Sequence, residues 1–331
     1  RVKTSSINEY LVMRHGEAET NTKGIVSYKP EDHFPLTERG CAQAKTAALK
    51  LKNKGIELII ASPILRTKET ARIVAETLGL SEAEIIFDER IAEINTGDFN
   101  GCDINEYRAH FTSTLEKFTK PTPNGETLEQ MKIRFGEFLY DCEKKYHGKK
   151  ILIVTHEYGV WMLDSVARGA TNSQAALMKE EGGDDYLANA EVREFNFSLI
   201  PHNNKYELDY HRPYIDAVHY QCSCELGTME RVSDVFDCWF ESGSMPFAQF
   251  HYMGDETTPE GKLFMKNFPA DFIAEAVDQT RGWFYNMLIL SVGLFDHAAF
   301  RSVITTGLIL AEDGFKMSKK LKNYPDPMEV A

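Results

Sequence analysis

Four short apolar runs, Tyr10–Met13, Ile56–Ala61, Ile85–Phe87 and Ile151–Val154, are separated by stretches with helical spacing, and this alternation most constrains the fold. Continuously apolar strands joined by helices make a mostly parallel sheet covered on both faces. Several helix limits are legible. Thr37 caps a helix rich in Ala, Leu and Lys that ends at Gly55, and Ser62-Pro63 supplies a cap and a first-turn proline for a helix closed by Gly79. Thr127 opens a further helix, and Val192 to Ile200 alternates like a strand near the sheet edge. Residues 97–126 are polar and carry Pro121, Pro123 and Gly125; they read as a partly irregular insertion over a site, the kind of segment that becomes a lid.

A length of 331 residues suits about two domains. Pro201-His202-Asn203-Asn204-Lys205 joins a helix breaker to polar turn-formers, which places the boundary between residues 1–204 and 205–331. Beyond it, 206–268 is aromatic, acidic and weakly periodic, and 270–310 returns to strand, helix, strand. The net charge of −13 excludes a basic nucleic-acid footprint over the whole surface but leaves room for a local patch. Six scattered cysteines and the lack of a processing signal point to a reducing cytoplasm. Trp283 to Phe295, interrupted by Asn286, is too short to span a bilayer of roughly 30 Å and is expected to be a buried helix, with no membrane association.

The charged residues beside the apolar runs carry the chemistry. Arg14-His15-Gly16-Glu17 follows the first run, Arg66 lies in the first turn after the second, Glu93 beyond the third, and His156 two residues past the fourth. In a parallel sheet these positions converge on one crevice. Two guanidiniums and two imidazoles there form a cationic pocket for a phosphate dianion. The same positive charge lowers the pKa of His15 and keeps its ring neutral and nucleophilic. Covalent catalysis through a phosphohistidine follows, with Glu93 protonating the leaving oxygen and then activating water. Taken singly, each residue is more often a structural hydrogen bonder; the weight lies in the set.

With Asn21, Leu36-Thr37-Glu38-Arg39-Gly40, Gln43-Ala44, Ser62-Pro63, Thr70-Ala71, Gly97, Gly101, Gly125-Glu126-Thr127 and Thr155, this set resembles the histidine phosphatase (phosphoglycerate mutase-like) superfamily across residues 7–200. The resemblance implies a three-layer α/β/α domain and a phosphohistidine at His15. It further implies phosphate held by Arg14, Arg66 and His156, Glu93 as proton donor, and no cofactor. The substrate would be a phosphorylated small molecule or a phosphoprotein. Glu157 departs from the pattern, since many members carry glycine there; its carboxylate is expected to retune His156 or to exclude a very anionic substrate. Glu17 either touches substrate or braces its loop.

The second half carries Asp209–Asp216, Asp237–Pro246, Phe268–Glu275, Asp278–Phe284 and, after an Asp313-Gly314 turn, the loop Lys316-Met317-Ser318-Lys319-Lys320. These strings resemble the second half of the catalytic core of isoleucyl-tRNA synthetases, class I enzymes with a Rossmann-like core and a KMSKS-type loop. The resemblance implies isoleucine and ATP, with Mg2+, as substrates. Lys316 and Lys319 would neutralise charge built at the α-phosphate, Glu275, Asp278 and Gln279 would hold the adenylate, and Trp239 and Trp283 would wall the amino-acid pocket. Ala276 stands where glycine is usual. Cys222 and Cys224, with His219 before them, are at most an incomplete zinc half-site, because no second cysteine pair completes four ligands; no metal is expected.

The chain lacks a His-x-Gly-His segment and lacks editing and anticodon-binding regions, so tRNA(Ile) would be held by parts outside it. The economical reading is an internal piece of a longer synthetase with a phosphatase domain inserted between the halves of its core. Two alternatives stay open: a phosphatase fold serving as a noncatalytic spacer or docking module, and an artificial or mis-joined fusion.

Overall fold

The computed structural model describes residues 6–324 except 184–185, 223–226, 235–237, 313, 319 and 322. The chain forms two compact units, Arg1–Arg231 and Val232–Ala331.

In the first unit, β1 (Glu9–Arg14), β2 (Leu58–Ala61), β3 (Ile85–Phe87), β4 (Lys150–Thr155) and β5 (Val192–Phe195) form one sheet in the order β3-β2-β4-β1-β5. The first four strands pair in parallel and β5 runs antiparallel beside β1. The helices are α1 (Glu19–Lys23), α2 (Glu38–Leu51), α3 (Leu65–Leu78), α4 (Ile104–Ala109), α5 (Leu128–Lys145), α6 (Glu157–Arg168) and α7 (Asn172–Gly182). Side chains alternate across the sheet with period two. Tyr10, Val12, Ile60, Ile151 and Ile153 point into a core with Phe135, Leu139 and Trp161 of α5 and α6, whereas Leu11, Met13, Ile59, Leu152 and Val154 meet Ala44, Ala48, Ala71 and Val74 of α2 and α3. This is the three-layer α/β/α arrangement, with the carboxyl ends of β1, β2 and β4 on one edge.

Local chemistry fixes most ends and moves a few. Thr37 Oγ1 accepts from Gly40 N as the cap of α2, and Thr127 with Gln130 forms a reciprocal capping box on α5. Helix α2 stops at Leu51 rather than at Gly55, whose left-handed φ of 71° serves the turn into β2. Ser62 does not cap α3. Its hydroxyl is taken by His156 at 2.8 Å, and the helix begins at Leu65 with Ile64 as its cap position. The strand expected over 192–200 ends at Phe195.

Residues 201–209 pack on the first unit. Leu208 N donates to Gly169 O (2.9 Å), and the fully buried Lys132 donates to Glu207 Oε1 (3.3 Å). Tyr206, at φ 58°, stacks on His202 and covers Gly136 in the middle of α5, where any Cβ would collide with its ring. Further on lie two short paired strands, β6 (Tyr220–Gln221) and β7 (Thr228–Met229).

The second unit contains α8 (Cys238–Ala248), α9 (Pro259–Asn267), β8 (Ala270–Ala276), α10 (Trp283–Phe295) and β9 (Phe300–Thr306). Strands β8 and β9 pair in parallel, and α10 is the crossover between them. Gly243 of α8 lies against the backbone of Asn286 in α10, and Trp283 Nε1 donates to Ser242 O (3.1 Å). Helix α10 is where the sequence placed it, but it is not buried. Phe284, Met287 and Ser291 face inward, while Tyr285, Ile289, Val292 and Leu294 are exposed, because this unit covers only one side of a helix that is apolar all round. No described helix is long and apolar enough to cross a membrane.

Candidate active site

Strand β1 delivers Arg14 to the sheet edge and His15 just past it. The loop then turns tightly against α2, since a Cβ on Gly40 would strike the backbone of Glu17 and one on Gly16 would strike the Gly40 carbonyl. His15 Nδ1 lies 2.7 Å from Gly16 O. A carbonyl only accepts, so Nδ1 carries the ring proton and Nε2 presents a lone pair. That nitrogen accepts from Arg66 Nε at 3.1 Å. Burial, then Arg66 and Arg14, push the His15 pKa well below its ordinary value, so the ring is neutral at physiological pH.

Arg66 is fixed by Nη2 donating to Ser27 O (2.9 Å), and its buried Nη1 has no hydrogen-bond partner. A buried guanidinium nitrogen without an acceptor is costly unless a ligand oxygen completes it. Burial lowers the Arg66 pKa to about 10, which leaves it charged at neutral pH. Arg14 donates to Leu187 O (2.7 Å) and pairs with Glu157 at 3.5 Å.

The His156 ring, fully buried, stands edge-on to His15 with centroids 5.2 Å apart. Its Nε2 meets Ser62 Oγ, while Nδ1 has no hydrogen-bond partner and lies 3.8 Å from Glu93 Oε2. Burial, Arg66 and His15 hold this imidazole neutral as well. Burial is also the main cause of the raised Glu93 pKa; Arg66 opposes it and Glu157 reinforces it. Arg134 braces the segment that carries Glu93, donating to the carbonyls of Arg90, Ala92 and Glu93 while paired with Glu126 at 2.6 Å.

Arg14, His15, Arg66 and Glu93 line a cavity of about 110 Å3, together with Ile104, Tyr107 and Arg108 of the 97–126 insertion and Tyr158; His156 sits behind its wall. That volume has room for a phosphoryl group. The sequence reading missed Tyr107, Arg108 and Tyr158 on the wall and Arg134 behind it. A tyrosine two residues past His156, just ahead of the apolar run Val160–Leu163, was the available signal for Tyr158. Glu157 does not retune His156: its carboxylate is held by Lys179 at 2.6 Å and by Tyr186 N, and its field falls on Glu93 and Arg14. Glu17 braces its loop, accepting from Thr37 Oγ1 at 2.9 Å and pairing with Arg39.

In the second unit Gln279, Trp283 and Trp239 come together: Gln279 Oε1 accepts from Trp283 N (2.8 Å), and the Trp239 ring lies against Gly282. Glu275 and Asp278 are exposed at the end of β8 and in the turn after it. Lys316 is exposed on a bridge to Leu310, and Asn323 ties the following loop through Ser318 N (2.9 Å). Lys319 and Cys224 lie outside the described residues; Cys222 N donates to Gly227 O.

A doubly covered sheet with a buried histidine, a second histidine and two arginines at its carboxyl edge defines a phosphate-handling enzyme class, and the chain belongs to the histidine phosphatase superfamily (branch 1), matched over residues 10–194. Residues 174–331 match the model of the class I tRNA synthetases (I, L, M and V). Over 125 residues it is 56% identical to the cytoplasmic isoleucine–tRNA ligase of Arabidopsis thaliana, covering 37% of this chain and 10% of that protein. The cytoplasmic ligase of Mus musculus is 54% identical over 122 residues, covering 37% and 9%. The chain thus spans about a tenth of the length of these curated relatives. Among solved structures, the α-ribazole phosphatase from Shigella flexneri is similar at 20% identity and TM-score 0.48, covering 62% of this chain and 100% of that one. A mycobacterial hydrolase aligns at 20% identity and TM-score 0.49, covering 57% and 88%.

Proposed function

We propose that the first unit hydrolyses phosphomonoesters through a phosphohistidine on His15 Nε2. One observation supports this reading: the Nδ1 contact with Gly16 O leaves Nε2 unprotonated, its lone pair turned to Arg66 Nε, in a cavity that also holds Glu93. Nε2 attacks phosphorus, the bond to the leaving oxygen breaks, and protonated Glu93 gives that oxygen its proton. The carboxylate then takes a proton from water, whose oxygen attacks the phosphohistidine and releases inorganic phosphate. Arg14 and Arg66 hold the phosphoryl oxygens. Ser62 Oγ can give its hydrogen to His156 Nε2, which puts the His156 proton on Nδ1, on the side of Glu93 Oε2 at 3.8 Å.

The test is phosphate labelling of the whole chain. Unaltered protein should acquire acid-labile, base-stable phosphate from an aryl phosphate and turn it over without added metal, and His15→Ala should do neither. Undiminished hydrolysis in that variant would sink the proposal.

For residues 205–331 we infer one half of an isoleucine-activating core, with isoleucine and MgATP as substrates and tRNA(Ile) as partner when the remainder of the core is supplied. Lys316 and Lys319 would neutralise the α-phosphate, Glu275, Asp278 and Gln279 would hold the adenylate, and Trp239 and Trp283 would wall the side chain. The identity to isoleucine–tRNA ligases over these residues supports that reading. The domain limits proposed for the two activities are 1–204 and 205–331.

A further inference from the structure

The Glu93 carboxyl is held by its own main chain. Oε1 accepts from Ile94 N at 2.9 Å, and among the described residues no side chain hydrogen-bonds this carboxyl. Its place in the cavity therefore follows the path of residues 92–95, which belong to no helix or strand. A segment without a ladder needs partners from elsewhere for its polar groups. Arg134 of α5 supplies them. Nη1 donates to Arg90 O (2.6 Å) and Ala92 O (2.9 Å), and Nη2 donates to Glu93 O (3.1 Å). The remaining donors go to Glu126, Nε to Oε2 at 3.1 Å and Nη2 to Oε1 at 2.6 Å. Every N–H of this guanidinium is thus engaged within the protein, unlike Arg66, whose buried Nη1 has no partner. Glu126 Oε1 also accepts from Asn95 N (2.8 Å), and Glu126 N donates to Asn95 O (2.9 Å), so one ion pair grips the main chain on both sides of Glu93. The two segments touch at glycines: a Cβ on Gly125 would lie 2.8 Å from Asn95 O, and one on Gly97, at φ 55°, would lie 2.0 Å from Pro123 O. The paired side chains are 19% and 17% exposed, sheltered enough for a bidentate pair to keep its geometry.

We propose that Arg134, clamped by Glu126, is the positioning residue of the proton donor: it holds the carbonyls around Glu93 so that this carboxyl meets the leaving oxygen. The proposal rests on the phosphatase reading of His15 and Glu93, and it adds a pair that lines no part of the phosphate cavity. A general acid must lie within hydrogen-bond reach of the oxygen that it protonates, and a displacement of about 1 Å can cost on the order of 10²-fold. Transfer from an activated aryl ester to His15 does not need that proton and is spared. What the guanidinium supplies is its planar fork. A lysine keeps the charge but, as a point charge on a flexible stem, cannot hold three carbonyls and a carboxylate at once.

The test, on the full chain, is the ratio of kcat/KM for an alkyl phosphate to kcat/KM for an activated aryl phosphate, which reads the demand for a proton in the transition state. Arg134→Ala should lower this ratio by about ten- to hundredfold. In a Glu93→Gln background the same change should leave the ratio where Glu93→Gln alone puts it, because the two residues act through one proton. Arg134→Lys is the milder substitution; it should lower the ratio in the same direction, and it carries the test if the alanine variant fails to fold. A purely structural role would slow both esters alike. A ratio unmoved in the folded variant, or a further fall of similar size on top of Glu93→Gln, overturns the proposal. If the unaltered chain turns over neither ester, the phosphatase reading falls and the positioning role with it; turnover with an unmoved ratio removes the positioning role alone.

Discussion

The proton on His15 is placed by a backbone carbonyl one residue away, so the nucleophilic nitrogen is fixed before any substrate arrives. Its lowered pKa means that activity should not fall as pH drops through the ordinary histidine range on account of this ring. Glu93 sets the opposite limb. Its pKa is raised, and it must be protonated to serve a poor leaving group, so hydrolysis of alkyl esters should decline as pH climbs past a point above the usual carboxylate range. Glu93→Gln should slow alkyl phosphates by about 10²–10⁴-fold and activated aryl esters far less; equal losses would remove Glu93 from the role. Arg14, His15, Arg66, Glu93 and His156 were legible in sequence because each follows an apolar run in a parallel sheet. Tyr107 and Tyr158 were not, since their meeting depends on how an irregular insertion folds back.

At the scale of elements, the strand pattern was readable because apolar runs buried on both faces leave no polar alternative. Helix ends were readable where one side chain had one task, as at Thr37 and Thr127. They were misread at Ser62, whose hydroxyl is claimed by a histidine far away in sequence. Exposure of α10 was also illegible, since apolarity all round says that a helix is to be covered and not whether this chain covers it. The packing of α6 makes a measurable forecast. Trp161 is fully buried against Phe118 and Tyr158 and donates to Ala175 O at 2.8 Å. Trp161→Ala should cost about 3–5 kcal/mol in chemical unfolding of the first unit; a loss under about 1 kcal/mol would contradict this packing.

At the scale of the molecule, matches to two family models lie along one chain, and only the first unit gathers its candidate residues around a cavity. In the second unit Glu275, Asp278 and Lys316 lie on exposed surface. We therefore expect no isoleucine-dependent exchange of pyrophosphate into ATP from these 331 residues alone, and recovery when the other half of the core is supplied. Robust exchange by the chain alone would show that the activation site needs less than argued. The packing of Tyr206 over Gly136 bears on any attempt to divide the chain. A glycine inside a helix costs about 1 kcal/mol relative to alanine, and here it is the socket for a ring that arrives after the sheet is complete. A scissor placed after Asn204 would therefore pull the plug from that socket and strand Lys132 without Glu207, whereas one placed after Asp209 would leave both halves of the fit on the same fragment.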